Sequence, residues 1–163
     1  MNTISLLIIS VCALIQATSF EYISVMGVKP DLLIILVIFF ALSFSSHQAK
    51  RLAIVIGLLK DVTSASLLGS YTLSFLILAM IISYHQNKFF RERISTQMMI
   101  AFISYFFVGV VIFLLNSFSS KSFPAHYSFL SLIVRGSAYT AVISPVVFFI
   151  LSKILRIRLT TVL

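Results

Sequence analysis

The chain has 163 residues, of which 60% are hydrophobic and only 10% charged. Soluble domains run near half apolar and a quarter charged, so a soluble catalytic domain, a nucleic-acid reader and a disulfide-stapled secreted fold are excluded. Twelve Lys+Arg against four Asp+Glu give a net charge of +8, but the bases fall in short clusters between apolar runs, where they set membrane orientation and meet anionic lipid rather than nucleic acid.

At roughly 20 residues per crossing, the length holds no more than about seven or eight spanning helices and no separate domain. The pattern predicts an all-α polytopic membrane protein: one integral membrane domain over residues 1–163, with six transmembrane segments near 3–20, 30–44, 52–64, 66–84, 96–118 and 132–155. The first apolar run stands where a signal peptide would. Met1-Asn2 lacks a basic n-region, however, and five apolar segments follow, so the run reads as a retained helix. Cys12, the single cysteine, lies inside it and reads as a small buried hydrophobe.

A polar connector over residues 21–29 leads to Pro30, which suits the first position of a second helix because its missing N–H costs nothing there. Residues 45–51, Ser-Ser-His-Gln-Ala-Lys-Arg, read as a loop. The next 33 residues, 52–84, would make one helix about 50 Å long, too long for a hydrocarbon core near 30 Å. The polar run Lys60-Asp61-Val62-Thr63-Ser64 and Gly69 divide them into a short piece near 52–59, a candidate broken or re-entrant segment, and a longer helix near 66–84. Residues 85–95 form a basic loop, 96–118 a Phe-rich helix, 119–131 the longest connector, and 132–155 the last helix.

Counting Lys and Arg tests this division. Segments 45–51, 85–95 and 153–158 hold two, three and three; the alternate connectors hold one each, Lys29, Lys60 and Lys121, with Arg135 on the last helix. Placing the richer segments in the cytoplasm requires an even number of crossings between 52 and 84, which gives six segments with both termini cytoplasmic. Lys50, Arg51, Lys88, Arg91, Arg93, Lys153, Arg156 and Arg158 are then basic anchors facing lipid.

That orientation puts Glu21, Asp31 and Asp61 at the outer ends of segments. Charges near hydrocarbon are costly and are paired or functional, so Asp31, Asp61, Lys60 and Arg135 form a candidate outer-face polar cluster, with Arg135 approaching the two aspartates. For Asp31 there is a simpler reading, a carboxylate meeting the positive end of a helix dipole. Arg135 has one too, snorkelling to the headgroups.

Catalytic constellations are absent. His47, His85 and His126 fall in separate loops without a cysteine pair, which argues against a metal. Asp31 and Asp61 lie at helix ends and lack the surroundings of an aspartyl dyad, and no glycine-rich phosphate loop occurs. No enzyme, cofactor or metal is expected. Packing faces are clearer. Phe102, Phe106, Gly109 and Phe113 recur at helical spacing, and Ser137, Ala141 and Ser144 form a small-residue face beside Gly136 and Thr140. Each is a face for packing within the chain or for docking a partner helix. Pro145 is expected to bend the last helix.

Two segments carry a resemblance. Lys29-Pro30-Asp31-Leu32-Leu33-Ile34-Ile35-Leu36 resembles the Pro-Asp-Leu-Leu opening of the second segment in bacterial rod shape-determining MreD proteins. Gly57-Leu58-Leu59-Lys60-Asp61, followed by Leu68-Gly69, Tyr71 and Leu73, resembles that family's Gly-Leu-Leu-Gln-Asp run, with Lys60 where the family usually has a neutral Gln. Their separation, the chain length and the segment count also fit. The resemblance implies an inner-membrane component of the cell-elongation machinery that binds MreC and, through it, is linked to MreB filaments and the elongation peptidoglycan synthase. It also implies a fold similar to the six-helix substrate-binding subunits of energy-coupling-factor transporters. A subunit of such a small-molecule transporter is the alternative function. Asp31 and Asp61 match recurrent polar positions of the family, with no role attached.

Overall fold

A computed structural model describes residues 8–12, 14, 16, 30–64, 67–85, 93–118 and 126–155, with backbone alone for 116, 118 and 126–129. Among the described residues there are helices and turns and no strand. The helices are α1 (described helical residues 8–12, 14 and 16), α2 (Leu32–Ser43), α3 (Ser46–Thr63), α4 (Ser70–His85), α5 (Ile94–Phe118) and α6 (His126–Leu155).

Helix α2 is the centre of the molecule. Its 12 residues, LLIILVIFFALS, are apolar on every side, and Leu33 through Leu42 are all buried, as expected of a helix with no polar face. Asp31 is its N-cap, accepting from the N–H groups of Leu33 and Ile34; the helix ends where Phe44 turns extended and its N–H bonds back to the Phe40 carbonyl. The chain reverses over Phe44 and Ser45 into α3.

Two expected boundaries are corrected here. Helix α3 is one unbroken helix of 18 residues, so the third segment is neither short nor broken, and residues 46–51 belong to it rather than to a loop. Ala49, Leu52, Ala53 and Ile56 are buried at i, i+3, i+4 and i+7, the inward stripe of a helix. The break falls after it, at the turn holding Gly69, whose φ of +93° suits a residue without Cβ. The last helix likewise begins at His126 instead of near 132, and it runs through Pro145 for 30 residues.

Packing follows two antiparallel pairs, α3 with α4 and α5 with α6, which make the most extensive contacts. Gly57 lets the first pair close: a Cβ there would overlap the Thr72 backbone. In the second pair Gly109 sits against Ile133 and Gly136 against Tyr105, which sets the register. Phe39 of α2 meets Phe148 of α6 edge-on at 5.4 Å, and the Ser83 hydroxyl donates to the Ala41 carbonyl. The C-terminal ends of α2, α4 and α6 therefore gather with the N-terminal ends of α3 and α5. Two helices, Ile94–Leu115 and Leu130–Leu155, are long and apolar enough to cross a membrane; Leu32–Ser43 and Ser70–His85 are apolar but shorter.

Candidate functional site

The polar residues converge where α2 begins, α3 ends and α4 begins. The Asp31 backbone N–H donates to the Thr140 hydroxyl of α6 at 3.2 Å. Thr140 stands halfway along the 30-residue α6, about 21 Å from its start at 1.5 Å per residue. The ends of α2, α3 and α4 thus lie level with the middle of the longest helix.

Lys60, in the last turn of α3, places its Nζ 2.9 Å from Asp31 Oδ2, with side chains only 15% and 9% exposed. The ammonium also lies 5.5 Å from the centre of the Tyr71 ring, within cation–π range. Asp31 Oδ1 accepts from the Gln16 side-chain amide at 3.0 Å and from the Leu33 N–H at 3.1 Å. Gln16 returns its carbonyl oxygen to the Leu33 N–H at 3.2 Å. Asp31 is thereby N-cap, counter-ion and hydrogen-bond partner at once.

Asp61, also buried, caps a different helix. Its Oδ1 accepts from the Tyr71 N–H at 3.0 Å, while Oδ2 accepts from the Thr72 N–H at 3.1 Å and the Thr72 hydroxyl at 2.6 Å. These are N–H groups that the first turn of α4 cannot satisfy within itself, and a carboxylate is the favoured acceptor at that positive end. The end of α3 is closed by its own side chains: the Thr63 hydroxyl lies 3.2 and 3.1 Å from the Leu59 and Lys60 carbonyls, and that of Ser64 3.5 Å from the Asp61 carbonyl.

The structure unites Asp31 and Lys60 in an ion pair and sets Asp61 beside them. It does not add Arg135. That residue is exposed on α6, and the cation that reaches Asp31 is Lys60. Geometry explains the correction: Arg135 precedes the buried Gly136 and Ser137, so it points away from the face that holds Thr140.

The Phe-rich face divides. Phe102 and Phe106 are exposed at 37% each, Phe113 is half-buried, and Gly109 packs on Ile133 of α6. Ser137, Ala141 and Ser144 are buried, so this small-residue face is occupied inside the chain. Ser137 and Ser144 turn their hydroxyls back on the Val134 and Ala141 carbonyls at 2.8 Å each. Lys50 is half-buried, and Arg51, Arg93 and Lys153 are exposed, all at the end where α3 and α5 start. Lys88, Arg91, Arg156 and Arg158 lie outside the described residues.

Gln16, Thr72 and Thr140 are the members of the network that sequence reasoning missed as partners. Their only signal was polarity inside apolar segments. Among the described residues no group of His, Cys, Asp and Glu is arranged to hold a metal ion.

A family model described as rod shape-determining protein MreD matches residues 1–158. The chain belongs to the MreD family. As an MreD protein it is a membrane component of rod-shape determination, from a family of structural, shape-determining proteins and not a known enzyme family. Comparison with curated proteins gave no match, and comparison with solved structures gave none either. The likeness to energy-coupling-factor subunits therefore rests on the sequence resemblance alone.

Proposed function

We propose that this MreD protein is a non-enzymatic inner-membrane scaffold of the cell-elongation machinery, binding MreC and helping to couple MreB filaments to peptidoglycan synthesis. The observation that carries the reading is the family match across residues 1–158. The site geometry supports it. Asp31, Lys60, Asp61 and Thr72 hold one another and two helix termini, an arrangement that fixes helices in place rather than one poised to transfer a proton or an acyl group.

In this reading the chain crosses the membrane six times with both termini in the cytoplasm. Lys50, Arg51, Arg93 and Lys153 share one end of the bundle, where they face the anionic lipid of the inner leaflet. Phe102 and Phe106, exposed on α5, offer rings to a partner helix.

A second reading, the substrate-binding subunit of an energy-coupling-factor-type transporter, draws on the polar network between α2, α3, α4 and α6. Affinity purification in mild detergent with mass spectrometry separates the two. The scaffold brings down a single-pass MreC-type partner, and its depletion rounds the cells; a stable complex with transporter ATPases and without MreC rejects it.

A further inference from the structure

Arg135 takes no part in the polar network, and its surroundings are apolar. It is exposed on α6 together with Leu132, Val134, Ala138 and Val142. Both acids among the described residues are engaged elsewhere: Asp31 pairs with Lys60, and Asp61 accepts from Tyr71 and Thr72. A guanidinium stays charged and has five N–H donors to satisfy. On a helix face turned to acyl chains it needs an anion.

Depth decides which anion. The apolar stretch of α6 begins at Leu130, about 7.5 Å along the helix before Arg135. Helix side chains lean toward the N-terminus, and a long basic stem uses that direction to carry its charge out of hydrocarbon. In α6 it leads toward Leu130. Measured from Leu130, a hydrocarbon core near 30 Å ends close to Ile150, one turn short of Lys153. The Arg135 guanidinium and the Lys153 ammonium are thereby set about one core thickness apart, at the two levels where phosphate groups lie. A carboxylate on a partner helix suits a charge fixed at mid-depth, whereas a flexible stem reaching the edge suits a headgroup.

We infer that Arg135 binds the phosphate of a phospholipid headgroup in the leaflet opposite the basic end, and so fixes how deep α6 sits. The inference rests on the membrane-spanning reading above.

The chain contains no tryptophan, so Leu132→Trp, one turn from Arg135 and exposed like it, is a local fluorescent reporter. The full chain carrying it is reconstituted into phosphatidylcholine vesicles, and quenching by lipids with brominated acyl chains reads which lipid lies beside residue 132. The probes are phosphatidylglycerol, whose phosphate leaves it anionic, and diacylglycerol with the same chains and no phosphate. One basic side chain at a membrane surface favours an anionic lipid about fivefold. Phosphatidylglycerol is therefore expected beside the reporter at about five times its share of the membrane, and diacylglycerol at its share. Arg135→Gln removes the enrichment; Arg135→Lys, which keeps the charge, retains most of it.

Equal quenching by the two probes, or an enrichment that survives Arg135→Gln, overturns the site and leaves the membrane-spanning reading standing. No quenching even in vesicles made wholly of brominated phosphatidylcholine overturns that reading, because the reporter then lies outside the bilayer. A lower melting temperature for Arg135→Gln in lipid-free detergent overturns the site in favour of a counter-ion within the chain. Equal quenching joined to loss of partner capture by Arg135→Gln overturns it in favour of a carboxylate on a partner helix. A single symmetric peak in mild detergent shows that each variant is intact.

Discussion

Thr72 gives both its backbone N–H and its hydroxyl to one oxygen of Asp61, at 3.1 and 2.6 Å. Since Asp61 closes α3 and Thr72 opens α4, this contact bridges the turn between the two helices and caps the second with an acid from the first. Replacing the carboxylate by a methyl leaves three donors without their acceptor in a site that is only 3% exposed at Asp61. Asp61→Ala is expected to lower stability by about 3 kcal/mol and Thr72→Val by about 1 kcal/mol. Denaturation midpoints in detergent measure both, and a smaller loss for Asp61→Ala than for Thr72→Val would contradict the capping role.

The ion pair between Lys60 and Asp31 behaves differently from its parts. Lys60→Met strands a mostly buried carboxylate, and Asp31→Asn strands an ammonium; each is expected to cost about 2–3 kcal/mol. The double variant Lys60→Met/Asp31→Asn removes both charges and keeps the side-chain oxygen that caps α2, so it recovers most of the loss. A double-mutant cycle on melting temperature reads the coupling. Additive losses would show that the two residues act independently.

Gly57 makes a steric prediction. A methyl group there meets the Thr72 backbone, which cannot swing aside as a flexible side chain would. Gly57→Ala is expected to cost about 2 kcal/mol despite the better helix propensity of alanine. Gly69→Ala meets no neighbouring atom and carries only the strain of positive φ, about 1 kcal/mol. Thermal unfolding of the two variants side by side gives the order.

The exposed rings and the buried small residues should part company. Phe102→Ala and Phe106→Ala are expected to leave the melting temperature nearly unchanged and to reduce capture of an MreC-type partner. Ser137→Leu forces a large side chain into a fully buried position and is expected to prevent a monodisperse preparation. Normal partner capture by Phe102→Ala/Phe106→Ala would remove that face from the interface.

How far the sequence could be read depended on the range of each interaction. Pro30-Asp31 before an unbroken apolar run announces a capped, enclosed helix, and α2 is that. The division of residues 52–84 was also legible, because Lys60 and Asp61 cannot lie mid-helix in lipid. The start of α3 was obscured by its polar composition, although Ala49, Leu52, Ala53 and Ile56 already carry the helical stripe. The choice of Lys60 over Arg135 as the partner of Asp31 depends on which face of α6 turns inward. The bond from Asp31 to Thr140 spans 109 residues. Neither leaves a local pattern to read, and with them the depth of the network stayed hidden.

The enclosure of α2 also constrains how the protein is made. A helix of 12 residues is about 18 Å long, too short to span a bilayer by itself, and its rim carries an aspartate that needs Lys60. Emerging from the ribosome, this segment has neither its counter-ion nor the walls that surround it, since α3, α4 and α6 are all synthesised later. The full enclosure of α2, with Asp31 paired to Lys60 and bonded to Thr140, therefore exists only once α3, α4 and α6 have been made.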